Sequence, residues 1–131
     1  MTKSAQQAVY DWTFKTAQGL AGTYDHLPMQ AEHVSYPFIN LGTTTLSPEH
    51  TKERAGGTFS QAIDVWGSAN QRLKVSAIAD QLMTLASRDF TAYGYHLSGR
   101  LWHHTCEITT DQSVPNAVFH RATVTLFFAL L

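Results

Sequence analysis

Val75, Ile78, Ala79, Leu82, Leu85 and Ala86 recur three and four apart, and this spacing predicts an amphipathic helix over 69–87. Directly before it stands TFSQAIDVW, residues 58–66, in which Phe59, Ile63 and Val65 fall on one side of a strand and Ala62 and Trp66 on the other. Gly67 marks the turn between them, and Ser68 with Gln71 has the spacing of a capping box. A strand that runs straight into a helix with one apolar stripe must bury that stripe on its own sheet. The apolar residues on both sides of the strand further predict that a second layer or another subunit covers the opposite face.

The flanking segments extend this plan. Ala5, Ala8, Val9, Trp12 and Leu20 predict a helix over 3–20, with Ser4 as its cap, Gly19 and Gly22 at its end and Phe14 off the main stripe. YPFINLG, residues 36–42, reads as an edge or entry strand because Pro37 has no amide hydrogen to give to a ladder. YHLSGRLWHHTCEITT, residues 95–110, reads as one long strand bent near Gly99. After a turn at 111–116, AVFHRATVTLFFALL places Ala122, Val124, Leu126, Phe128 and Leu130 on one face of an antiparallel partner. The expected fold is α+β: a mixed or mainly antiparallel four-stranded sheet covered by two helices, with a C-terminal strand pair. Residues 1–131 are expected to form a single domain.

Between the first two strands lies TTTLSPEHTKERAGG, residues 43–57, which shows no apolar period and reads as a long polar loop. Connections of this length often bind something, although a plain solvated loop fits the same residues. The candidate interface residues are Tyr36, Pro37 and Phe38 at the strand entry, Thr44, Thr45 and Leu46 at its end, and Lys52, Glu53 and Arg54 in the loop.

Composition removes several functions. With 44% hydrophobic and 15% charged residues the chain is not disordered, and a surface this short of charge is compatible with subunit contacts. Nine Lys plus Arg against ten Asp plus Glu, with no basic stripe, give no case for specific nucleic-acid binding. The single cysteine, the lack of a signal-peptide pattern and the lack of an apolar run of about 20 residues point to assembly in a reducing cytoplasm without a membrane.

Residues of catalytic type are present without a catalytic pattern. His96, His103, His104 and His120 invite a metal, but adjacent His103 and His104 would point to opposite faces of a strand. Cys106 would need a base and a cavity to act as a nucleophile, and reads instead as a small packing residue. Asp64 has no matched acid or base beside it, and Met83 and Trp12 read as packing residues. The expectation is a protein that is not an enzyme, with no cofactor and no metal. The alternative is a small cytoplasmic enzyme using His96, His104 or Cys106.

Taken together, Tyr36-Pro37 in a first strand, Asp64 to Ser68 closing a second, the helix bearing Ile78 and Leu82, and the terminal strand from His120 to Leu130 resemble the tail-completion or tail-terminator proteins of long-tailed bacteriophages. Here Gly67 stands between Trp66 and Ser68, where that pattern has an aromatic residue followed by serine. The resemblance covers nearly the whole chain. It implies a structural virion protein, assembled in the host cytoplasm, that caps the head-proximal end of the tail tube. The implied assembly is a homo-oligomer, a hexameric ring. Its implied partners are the tail tube protein and a head completion or connector protein, with DNA passing through the lumen unread. A generic head-tail adaptor without terminator activity is the other structural reading.

Overall fold

The computed structural model describes residues 2–29, 32–50 and 55–131. Two helices, α1 (Ala5–Gln18) and α2 (Arg72–Leu85), pack against a sheet of seven strands: β1 (Gly22–Tyr24), β2 (Phe38–His50), β3 (Ala55–Ser68), β4 (Asp89–Ala92), β5 (Tyr95–Gly99), β6 (Thr105–Asp111) and β7 (Phe119–Leu130). The spatial order is β1-β2-β3-β7-β5-β4, and β6 also pairs with β7. Only β1 and β2 run parallel.

The helices begin as local chemistry dictates. Ser4 caps α1 by accepting from the Gln7 backbone N–H at 3.0 Å. Before α2 the capping box is half made. Gln71 Oε1 accepts from the Ser68 N–H at 2.9 Å, but the Ser68 hydroxyl turns to Asn70. Both helices bury their stripes on one face of the sheet. Val9, Ala17, Val75, Ile78 and Leu82 join Ile39, Phe59, Ile63, Val65, Val124 and Phe128 in a single core. Trp12 stacks on Phe90 with centroids 4.3 Å apart and meets Phe128 edge-on, the packing role its position predicts.

The expectation of four strands is wrong: two causes account for the three missing strands, and a third difference lengthens two of the expected ones. β1 and β4 are three and four residues long, too short to show a period. The segment expected as one strand over 95–110 is two strands separated by a 3-10 turn at Leu101–His103. The break falls at Gly99, where a Cβ would lie 1.8 Å from the Ala86 carbonyl oxygen, so the chain passes the end of α2 with no room for a side chain. Both strands then pair with the same edge of β7. Finally, 43–50 and 55–57 are strand rather than loop: β2 and β3 pair along their full length except at a bulge between Leu41 and Thr44. Threonine is β-branched, and Thr44 and Thr45 form a ladder without supplying the apolar alternation that announces one.

Along β3, Phe59, Ile63 and Val65 are buried toward the helices, while Thr58, Ser60, Ala62, Asp64 and Trp66 lie half-exposed on the opposite face. Along β7, Ala122, Val124, Leu126 and Phe128 are buried in the same way. No described helix covers the second face.

Candidate interaction surface

The entry of β2 is an aromatic corner. Tyr36 stacks on Phe119 at 5.3 Å and tilts against Phe38 at 5.1 Å, and Tyr24 meets Phe38 edge-on. The Tyr36-Pro37 peptide is cis, and the Tyr36 carbonyl accepts from Gln71 Nε2 at 3.1 Å. Phe38 is therefore buried by its neighbours, Tyr36 is 37% exposed, and Pro37 precedes the strand without interrupting its ladder.

Further along β2 the bulge is held from inside. Gln61 is fully buried, donates to the Gly42 carbonyl at 3.1 Å and accepts from the Thr44 hydroxyl. From the other side Gln6 of α1 donates to the Thr44 carbonyl at 2.7 Å. This polar set fixes where β2 bends, because a buried amide left unpaired costs about 1–3 kcal/mol. Past the bend, pairing between β3 and β7 stops at Thr58, so 55–57 and the part of β2 opposite them project beyond the sheet as a two-stranded arm. Thr45 and Leu46 lie exposed at its base. Lys52, Glu53 and Arg54 lie outside the described residues.

The helix-free face carries few charges. Arg121 holds Asp64 with two hydrogen bonds of 3.1 Å and lies 5.1 Å from the Trp66 ring, whose N–H donates to Asn40. Around this pair the face is built of Thr45, Ser60, Ala62, Thr123 and Thr125. At one end of the sheet it meets an open groove of about 540 Å³, whose walls include Leu27, Met29, Tyr36, Val114 and Phe119, with Glu32 and Asp111 at its polar margin. The Ser113 hydroxyl and backbone N–H both bond Asp111 and hold its carboxyl below the usual range. Sequence reasoning missed this groove because its walls come from loops on either side of residue 100.

The residues of catalytic type are dispersed by the fold. His104 is buried, accepts the Phe127 backbone N–H at Nδ1 and places Nε2 3.3 Å from the Ala86 carbonyl, so Nε2 carries the proton. Burial pushes its pKa below the ordinary value, with a smaller push from His103. His103 is in the 3-10 turn, which corrects the expectation that the two adjacent histidines share a regular strand. His96 bonds Thr91, and His120 bonds the Ala69 carbonyl. Cys106 sits opposite Val124 while His120 sits opposite Thr110, about 13 Å further along the strand, so they form no nucleophile-base pair. The surroundings of the Cys106 thiol push its pKa up, away from the reactive thiolate. Among the described residues, no three His, Cys, Asp or Glu side chains gather to hold a metal.

A projecting strand pair, open edges and an apolar groove are surfaces of the kind through which structural proteins assemble. Residues 7–126 match the family of tail completion protein gp17, and the chain belongs to that family. It is a structural phage tail protein, a virion component whose non-enzymatic role follows from its family. Among solved structures, a chain in the virion of a native gene transfer agent particle is similar, with a TM-score of 0.65, 19% identity, and coverage of 97% of this chain and 93% of that one, a likeness of fold. A second solved chain aligns at a TM-score of 0.42 with 15% identity, over 96% of this chain and 89% of that one, and carries no argument. No curated protein sequence matches significantly.

Proposed function

We propose that the protein ends tail-tube growth as a closed hexameric ring on the head-proximal end of the tube. The observation that carries this reading is the arm of β2 and β3, which extends past the sheet in a chain whose family completes tails. Tyr36, Pro37 and Phe38 at the entry of β2, Thr44, Thr45 and Leu46 at the arm's base, and Lys52, Glu53 and Arg54, which lie between β2 and β3 in sequence, are the contact residues for a neighbouring subunit or the last tube ring. Contacts between two different surfaces of one chain close into a ring, and a closed ring offers one face to the tube and the other to a head completion or connector protein. The low charge of the helix-free face suits a wall past which DNA moves without being read. The subunits fold in the host cytoplasm before meeting the tail.

The test is light scattering of the purified chain, followed by incubation with tail tubes, for the native protein and for Thr45→Lys with Leu46→Asp. Native protein is expected to form a mass near six subunits and to stop tube elongation. The double variant is expected to fold and to fail at one of those steps. A native protein that leaves tube length unchanged would defeat the terminator reading and leave the adaptor role.

A further inference from the structure

Leu27 and Met29 form one wall of the apolar groove, yet they are 56% and 72% exposed. Apolar burial therefore holds this wall only weakly, and a segment with so little packing opens locally at small cost. What fixes it is polar. The His26 ring stands between two carboxylates: Nδ1 lies 2.7 Å from Asp25, and Nε2 lies 3.1 Å and 3.2 Å from the two oxygens of Glu32. Glu32 also accepts the Met29 N–H at 3.2 Å, and its own N–H donates to the Met29 carbonyl at 2.8 Å. The contacts thus run from Asp25, just after β1, through the ring to Met29 at the groove.

This geometry decides the charge of the ring. A neutral imidazole has one N–H, so beside two carboxylates it would donate to one and turn a lone pair toward the other. Only the imidazolium, with a proton on each nitrogen, satisfies both. Because the carboxylates sit on opposite nitrogens, the three side chains face no common point at which a metal could sit. The Tyr24 ring meets His26 edge-on at 6.2 Å. Behind Asp25, α1 presents Tyr10, Asp11 and Lys15, and Lys3 is already paired with Asp11. Toward the groove stand His33 and Asp111, the latter held by Ser113. Asp25 and then Glu32 hold the His26 pKa above its ordinary value, and the bond to His26 is the main reason both carboxyls lie below theirs. The bridge is therefore complete below about pH 6.5 and fails as pH rises through the raised value.

We propose that Asp25, His26 and Glu32 form a pH-operated clasp: the protonated ring pins Met29 in the groove wall, and loss of its proton releases Glu32 and with it Met29. Asp25 is the next residue in the chain and stays beside the ring, whereas Glu32 is six residues away, so Glu32 is the carboxylate that leaves. The clasp sets the shape of the groove and is independent of the terminator reading.

Histidine C2–H exchange followed by mass spectrometry titrates each ring separately, whatever the mass of the assembly. In the native protein His26 is expected to titrate above the ordinary histidine value of about 6.5, and to titrate lower in Glu32→Ala and in Asp25→Asn. Amide exchange, expressed as a protection factor, is expected to show the Met29 N–H protected at about pH 6 and to lose that protection by about pH 8.5. In Glu32→Ala the same amide is expected to be unprotected at both, with the circular dichroism spectrum unchanged. A native His26 that titrates at or below the ordinary value would overturn the inference. So would a His26 titration indifferent to Glu32→Ala, or a Met29 amide protected equally at both pH values. Tube-length control is read separately.

Discussion

The two sides of β7 are built by opposite means. On one side β3 pairs with it over Thr58–Ser68 without interruption, and its backbone ladder needs no side chain to complete it. On the other side β6 covers Phe119–Thr125, β5 covers Phe128–Leu130, and the ladder lacks a strand between them. His104 fills that gap: its imidazole takes the Phe127 N–H and reaches the Ala86 carbonyl at the end of α2. A continuous ladder tolerates changes in side chain, whereas a spliced one depends on particular atoms. The difference teaches where substitutions will act.

The largest effect is expected at Gly99, where any side chain must displace the Ala86 backbone. Gly99→Ala should cost about 4 kcal/mol or more, a large share of a domain's stability, as read by urea denaturation. Removing the splice by His104→Ala leaves the Phe127 N–H without its partner and opens a cavity, with an expected loss of about 2 kcal/mol in the same measurement. The histidine also makes the spliced side acid-sensitive. Because folded His104 binds a proton less readily than its unfolded form, its contribution is complete above about pH 6.5 and falls as pH drops from there toward its lower folded pKa. Melting temperature plotted against pH should show this loss in the native protein, with a shallower slope in His104→Ala. The smallest effect belongs to the continuous side. Arg121→Ala removes the half-exposed pair with Asp64 and is expected to cost about 0.5 kcal/mol, leaving the ladder intact. A larger cost at Arg121 than at His104 would break the comparison.

The same contrast explains what could be read from the sequence. Core-facing residues of β3 and β7 and the stripe of α2 follow simple periods, and their faces were legible in the sequence except at Leu85, which is exposed. The spliced side was not. His103 and His104 look alike in sequence, and only the close passage at Gly99 makes one a buried ladder member and leaves the other in an exposed turn. The bulge on β2 was hidden too, since its support is Gln61, a polar residue at a strand position where an apolar one would be expected. Tyr36 and Phe38 were found as an aromatic entry, but Phe38 proved buried by the corner it helps to form. The groove needed residues 27–36 and 111–119 brought together, which no local pattern announces.

β7 lies at the centre of the sheet yet follows every other strand in the chain. A ribosome that has released everything up to Asn116 has therefore delivered β3, β5 and β6 with nothing between them. β6 then meets β7 as a near neighbour in sequence, whereas β3 meets it only through contacts of high sequence separation, which form slowly. Until then the nascent chain exposes three strand edges that favour mispairing with other chains. The sheet closes only once Phe119 to Leu130 are free to pair.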